Sequence, residues 1–476
     1  MIAQFALRGL SFLFNIFIVR QLGDAGFGQY SIILAWTGVF SFIGDMGITQ
    51  YMTREIARDR DKVLSMFWDV AALRFILAAA AIAATVLGAV YVHYSRELII
   101  AIAILCSTYF IQAFLTPLNG IVAGYERLDI LSIFVVIGQI IYYAAATVLL
   151  LVDPQYLWLV IASLINLPVL TAASVWVVAR YNMRPPRFQL DPSRWLALLR
   201  SGLPFAFIQV SLTFAFRFDT LILGQNYPEE IVGWYNAAYT LTRSFLIFTS
   251  AFIVALVPTM AREHVLDPKS VQPWYFRSVR FIAFIGLPLA VGGTVLADKI
   301  ILLLYGNDFA LAILAFMILI WDTPLLMYTS ICGNFTTAMK IEKQAAWVYG
   351  CEAVFNILLN LLLIPKYGIL AASVVTVATE FVGTILFYRI FRREFGPGLG
   401  ASSLTRMGAA LLLMGGAVFV LRSYSILISI LLGALVYVLL VWLFKVFTPE
   451  EQALLFGMVK RLWASFQRRI QSNPSA

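Results

Sequence analysis

Long apolar runs separated by short polar breaks recur from one end of the chain to the other. Each is close to the roughly 20 residues that an α-helix needs to cross a bilayer. They predict helices near 2–21, 30–52, 66–92, 98–122, 129–151, 156–179, 203–224, 231–257, 277–297, 309–334, 344–364, 368–391, 404–421 and 424–446. The expected fold class is therefore all-α and integral to a membrane, with 14 transmembrane helices, and an even number places both termini on one side.

Composition narrows the class. Of the 476 residues, 61% are hydrophobic and only 12% charged, which excludes a soluble enzyme, a secreted disulfide scaffold and a membrane protein with a large aqueous domain. The net charge of +9 resembles a nucleic-acid signal, but placement matters more than the sum. If the N-terminus is cytoplasmic, 25 of the 34 Lys and Arg fall in inner loops and five in outer ones. That bias fixes an expected orientation with both termini cytoplasmic in a bacterial or archaeal inner membrane, and no nucleic-acid partner is expected. Cys106, Cys332 and Cys351 lie in apolar runs without metal-like spacing and are expected to pack in the core. The first apolar stretch lacks a cleavage site and is expected to remain as helix 1.

The longest polar interruption, 181–200, contains Pro185, Pro186 and Pro192 and reads as a cytoplasmic linker. It separates a six-helix lobe at 1–180 from another at 201–392, followed by two helices within 393–447 and an amphipathic tail at 448–476 suited to the anionic inner leaflet. Leu22-Gly23 followed by Gly28-Gln29-Tyr30 answers to Leu223-Gly224 followed by Gly233-Trp234-Tyr235. Six helices per repeat return the second copy in the same orientation, so the lobes are expected to be related by a pseudo-twofold along the membrane normal around a central cavity.

Polar residues within the runs form stripes at helical spacing. Gln4, Arg8, Ser11 and Asn15 share a face, as do Thr37, Ser41 and Asp45, and Thr108, Gln112, Thr116 and Asn119. The second half adds Gln209, Thr213, Arg217 and Thr220; Asn236, Thr240 and Arg243; Asp322; Glu352, Asn356 and Asn360; and Thr376, Glu380 and Thr384. Hydroxyls and amides commonly join helix to helix, whereas ionisable groups at membrane depth mark cavities and transport paths. Arg243, Asp322, Glu352 and Glu380 fall near mid-membrane and are expected to meet across water. Arg8 and Arg74 lie close enough to the inner surface to snorkel. Asp219 is expected to pair with another helix, and Asp45, within Gly44-Asp45-Met46-Gly47, suits either an ion or the capping of freed backbone.

Several chemistries are missing. There is no Gly-x-x-x-x-Gly-Lys-Ser/Thr phosphate loop, so energy must come from a gradient or the substrate. His93 and His264 lie at opposite surfaces, which rules out a shared metal site. Asp59-Arg60-Asp61 matches a short glycosyltransferase motif but sits in a small charged loop, and no loop is large enough for a catalytic domain. No cofactor is expected.

Leu22-Gly23-Asp24-Ala25-Gly26-Phe27-Gly28-Gln29-Tyr30 with Asp45-Met46-Gly47-Ile48 and Arg54-Glu55-Ile56-Ala57-Arg58 resembles the first lobe of bacterial oligosaccharide/polysaccharide flippases of the MATE-like superfamily. Asp219-Thr220-Leu221-Ile222-Leu223-Gly224, Leu304-Tyr305-Gly306 and Ile364-Pro365-Lys366-Tyr367-Gly368 extend the resemblance across most of 1–392. It implies two six-helix lobes working by alternating access on a polyprenyl-diphosphate-linked glycan in the membrane lipid, alongside polysaccharide assembly proteins. On that footing Arg243, Arg217 and Arg8 are expected to hold the diphosphate, since arginine presents a planar array of donors to it. Asn15, Asn236, Gln112 and the tyrosines Tyr142, Tyr143 and Tyr239 would meet the sugars. Glu352, Glu380 and Asp322 would bind a coupling H+ or Na+, or serve as counter-ions, and Asp45 is a further candidate for the coupling ion. The rival is a cation-coupled multidrug antiporter of the same superfamily.

Overall fold

Hydrocarbon offers backbone N–H and C=O groups no partner, so each apolar run satisfies them internally as helix. The computed structural model describes residues 2–56, 66–125, 128–181, 190–250, 252–253, 271–396 and 400–447. Among them no strand occurs, and the helices are α1 (Ile2–Asp45), α2 (Ile48–Ile56), α3 (Phe67–Tyr91), α4 (Arg96–Cys106), α5 (Thr108–Gly124), α6 (Leu128–Val152) and α7 (Tyr156–Arg180). After a short 3-10 turn follow α8 (Trp195–Asn226), α9 (Glu229–Ser244), α10 (Val271–Val295), α11 (Ala297–Tyr305), α12 (Ala312–Leu319), α13 (Asp322–Ala338), α14 (Glu342–Phe395), α15 (Ala401–Leu421) and α16 (Ile426–Leu443). The tail at 448–476, the Asp59-Arg60-Asp61 motif, His264, residues 182–189 of the linker and the end of the helix expected at 231–257 lie outside the described residues, as does the side chain of Gln4.

Ten described stretches are long and apolar enough to cross a membrane, and a bent pair around Pro192–Asn226 makes up to eleven. Two of the ten each hold two expected helices. In α1 the interruption is Gly23, with φ 67°, and in α14 it is Gly368, with φ 55°. Both adopt a left-handed conformation that side chains disfavour. The expected loops have shrunk to these single residues. After Gly23 the helix resumes at once, with the Asp24 carboxylate accepting the Ala25 N–H at 2.8 Å and placing negative charge at a helix start.

The helix expected at 231–257 is interrupted at Phe245, and three more are broken internally for local chemical reasons. The run at 98–122 divides at Ser107, where the Ser107 and Thr108 hydroxyls donate to the Ile104 and Leu105 carbonyls at 2.6 Å each. Such back-bonding bends a helix. The run at 309–334 divides at Ile320-Trp321; Pro324, four residues after Ile320, has no N–H for that carbonyl, which accepts the Thr323 N–H at 3.2 Å instead. The run at 30–52 divides at Met46-Gly47, both with positive φ.

The chain forms two compact units. The first comprises Met1–Ile247, Ile301–Leu319 and Lys343–Gly383. Within it α1 packs against α3, α8 and α9. A Cβ on Gly28 would collide with the Glu229 carbonyl, and a Cβ on Gly233 would collide with the Asp24 carbonyl. Gly28 and Gly233 are the repeat counterparts identified in the sequence, and each meets the carbonyl four residues before the other. The contact is thus reciprocal, as between two-fold-related surfaces. Trp234 fastens it, with its indole N–H near the Asp24 carboxylate at 3.1 Å and the Asp308 carbonyl at 2.9 Å. A second reciprocal contact joins Gly47 and Gly202, where a Cβ on either would strike backbone of the other segment. Beside it, Ile48, Met52, Val70, Leu73 and Leu198 form a buried cluster. The Asp69 carboxylate accepts the Asp191 N–H at 2.6 Å and faces Arg194 at 3.7 Å, which ties the end of the linker to α3.

The second unit comprises Phe248–Ile300, Ile320–Glu342 and Thr384–Ala476. In it α10 carries α13, α15 and α16. Leu296, Met407, Met414, Val418, Tyr437 and Val441 bury one another, and Phe284 stacks on Tyr437 at 5.4 Å. Arg422 pairs with Asp298 at 2.7 Å. Cys106 and Cys332 are buried as expected, and Cys351 is half-buried.

Gly28→Ala should destabilise the detergent-solubilised protein by about 1–3 kcal/mol through overpacking. Gly38→Ala, where a Cβ meets nothing within 4 Å, should leave stability unchanged or raise it slightly. Thermal melting of the two variants checks this, and equal melting would contradict the close contact.

Candidate functional site

The second repeat builds a buried polar cluster where α8, α9 and α14 meet. Asp219, 1% exposed, accepts the Thr220 N–H at 2.6 Å and the Tyr235 hydroxyl. Tyr235 also lies 3.1 Å from the Thr376 hydroxyl. The Thr220 hydroxyl donates to the Asn236 side chain at 3.1 Å, and Asn236 donates to the Val232 carbonyl at 2.9 Å. Asp219 therefore joins helices, as its sequence position led one to expect. Asn236 is buried and engaged in this network.

Two arginines border the cluster. Arg243 lies over the Phe216 ring at 4.5 Å and the Tyr239 ring at 4.7 Å. An arginine held on aromatic faces keeps its planar donor edge directed away from them. Asp219 is within electrostatic reach of both Arg243 and Arg217. Arg217 is half-buried, and its stripe grades from exposed Gln209 through half-buried Thr213 to buried Thr220. Tyr30 on α1 also lies within reach of the Arg217 charge.

The first repeat carries a group of hydroxyls that includes this tyrosine. Tyr30 and Tyr142 meet at 3.3 Å, and Ser11 bonds Tyr143. The Phe14 ring packs on Tyr143 at 4.3 Å and on Tyr142 at 5.7 Å. Arg8 and Ser11 are exposed and Asn15 half-buried along one stripe of α1, while Leu10 and Leu13 are exposed on another. The apolar stripe suits lipid. The polar one needs water or a polar occupant.

The remaining candidates are placed differently. Asp45 forms an ion pair with Arg74, to which Thr49 also bonds, and Arg74 reaches Thr116 at 3.5 Å. Arg74 is 5% exposed, so it does not snorkel. Gln112, exposed, lies one turn before Thr116. Asn119 is taken up by Ser174 at 2.9 Å. Glu352 and Glu380 are both buried. The Glu352 carboxylate occupies the space that a Cβ on Gly383 would take, and Glu380 lies one turn before that glycine. Asn356 donates to Thr379 at 3.2 Å and Asn360 to Asn356 at 2.8 Å on the same helix pair. Asp322 is buried in the second compact unit. Among the described residues, no group of three or more His, Cys, Asp or Glu is arranged to hold a metal ion.

Tyr30 and Tyr235 were not among the sequence candidates, although both anchor hydrogen-bonded groups. The signal was present, because they occupy equivalent positions in the two Gly-x-Tyr repeats.

Comparison with known proteins sets this geometry in context. The family model described as polysaccharide biosynthesis protein matches residues 1–264, and the MatE model matches residues 204–362. A relative in Haloferax volcanii, named probable low-salt glycan biosynthesis flippase Agl15, is 23% identical over 48% of this chain and 50% of its own length. The probable flippase AglR of the same organism is 25% identical over 36% of this chain and 37% of its own. The chain thus spans half or less of these curated relatives. Among solved structures, the lipid II flippase MurJ in an inward closed conformation superposes with TM-score 0.74 at 15% identity, covering 93% of this chain and 98% of that one. An inward-facing multidrug resistance MATE transporter superposes with TM-score 0.63 at 15% identity, covering 80% of this chain and 94% of that one. These likenesses show a shared fold.

Asp45→Ala should cost about 3–5 kcal/mol, because it leaves the Arg74 charge buried without its carboxylate. Combining it with Arg74→Leu should restore most of that loss, and melting of the single and double variants checks it.

Proposed function

The chain belongs to the polysaccharide biosynthesis protein family, and on that footing we propose that it is a flippase, carrying a polyprenyl-diphosphate-linked oligosaccharide from the cytoplasmic to the outer leaflet by alternating access. The observation that carries this reading is Arg243 held on the Phe216 and Tyr239 rings, with the buried Asp219 within electrostatic reach of both Arg243 and Arg217. A diphosphate concentrates negative charge and accepts several hydrogen bonds, which matches two guanidinium groups. Asp219 keeps that positive charge tolerable when the site is empty. A drug antiporter for cations would instead be served by a space lined with acids. The names of the two Haloferax relatives support the flippase reading.

Alternating access needs contacts that part and re-form. The contacts at Gly28–Gly233 and Gly47–Gly202 are backbone against backbone, and the Trp234 indole bonds to Asp24 and Asp308 would have to break if the first one parts. Arg8, exposed on the polar stripe of α1, adds a third cation, and Asn15 and Gln112 supply amides for sugars. Glu352 and Glu380 are the candidate sites for a coupling H+ or Na+, with Asp322 and Asp45 in subsidiary places. The protein operates in a cytoplasmic membrane with both termini inside, beside polysaccharide assembly proteins.

Arg243→Ala should abolish export of lipid-linked glycan while the protein still accumulates in the membrane, and normal glycan display would remove Arg243 from the site. Glu352→Gln or Glu380→Gln should blunt the response of transport to an imposed ion gradient in vesicles. An unchanged response would leave both carboxyls structural.

A further inference from the structure

The hydroxyl group around α1 and α6 is more than a seam between helices. Tyr30 with Tyr142, and Ser11 with Tyr143, make two hydroxyl–hydroxyl bonds. Each hydroxyl has one donor hydrogen and two acceptor positions, so each pair consumes one donor and leaves one over. Two O–H donors and several lone pairs therefore remain. Ser11 is exposed, Tyr30 and Tyr142 are half-buried and Tyr143 is buried, so the group opens outward at Ser11. Facing lipid, unmatched hydroxyls would be unfavourable.

Their surroundings are equally specific. The Phe14 ring packs against both tyrosines of α6 and holds them at a tilt of 52° to each other, with centroids 5.7 Å apart. Tyr30 lies within electrostatic reach of Arg217, and their helices α1 and α8 pack together. Aromatic faces with hydroxyl rims match a pyranose, which has apolar C–H faces and a rim of hydroxyls.

We propose that Ser11, Tyr30, Tyr142 and Tyr143, backed by Phe14, form the subsite that reads the first sugar of the lipid-linked glycan. This rests on the flippase reading above and deepens it. The first sugar is bonded directly to the diphosphate, so once Arg217 and Arg243 hold the phosphates, the hydroxyl group whose Tyr30 lies within reach of the Arg217 charge is placed to meet it. Sites that hydrogen-bond a substrate hydroxyl discriminate against substrates lacking it. The subsite thus sets a preference for the sugar at the reducing end, whatever follows it in the chain.

The test uses the full-length protein in lipid nanodiscs and measures affinity for undecaprenyl diphosphate and for the same lipid bearing one N-acetylglucosamine, N-acetylgalactosamine, glucose or galactose. Wild type should bind at least one sugar-bearing lipid about tenfold more tightly than the bare diphosphate, as expected for one good hydrogen bond. Tyr142→Phe and Tyr30→Phe should reduce that ratio towards one while leaving affinity for the bare lipid intact, which also reports that the variants are folded. Arg243→Ala should weaken every lipid in proportion. A wild-type protein without sugar preference, or tyrosine variants that retain it, overturns the subsite alone. Failure of wild type to bind any diphosphate lipid overturns the flippase reading beneath it.

Discussion

A charged or hydrogen-bonding side chain at membrane depth is stable in only two settings: matched to a protein partner, or wetted by a cavity. The first unit uses both, and the division between them organises it. Asp219, Tyr235, Thr376, Asn236 and Thr220 satisfy one another out of solvent. Asp45 and Arg74 do the same as an ion pair. Arg8, Ser11, Gln112 and Gln209 lie instead on exposed helix faces. Matched groups hold the helices in register, and in the proposed function the exposed ones line the path of a polar cargo.

The reciprocal glycine contacts give this arrangement its geometry. Because Gly28 and Gly233 each press on the carbonyl four residues before the other, the two repeats approach as near-equivalent surfaces, and larger residues would push them apart. The following tyrosines, Tyr30 and Tyr235, then point into different polar groups. Tyr235 stabilises Asp219 beside the arginines, and Tyr30 joins Tyr142 in the hydroxyl group. One duplicated motif thus serves a carboxylate-centred group and a hydroxyl-rich one.

Much of this was legible in the sequence because it is encoded locally. Runs of apolar residues report helices, and the loops at Gly23 and Gly368 coincide with residues that tolerate positive φ. The stripe containing Arg8, Ser11 and Asn15 follows from helical spacing alone. Other features were hidden because they depend on distant partners. Arg74 looked free to snorkel until Asp45, 29 residues earlier, was found against it. The break at Met46-Gly47 follows from the approach of Gly202, which periodicity cannot report. Glu352 against Gly383 likewise needs two segments of α14 brought together by the turn at Gly368.

The central claim is that the polar faces border water within the membrane. Its most direct test is thiol accessibility in a background lacking Cys106, Cys332 and Cys351. Cysteine placed at Ser11 or Gln112 should react with a small, charged, membrane-impermeant methanethiosulfonate reagent in native membranes. Cysteine placed at Leu13, which is 63% exposed on the apolar stripe of the same helix as Ser11, should not. Equal protection at all three positions, or labelling of Leu13→Cys as fast as Ser11→Cys, would contradict the account.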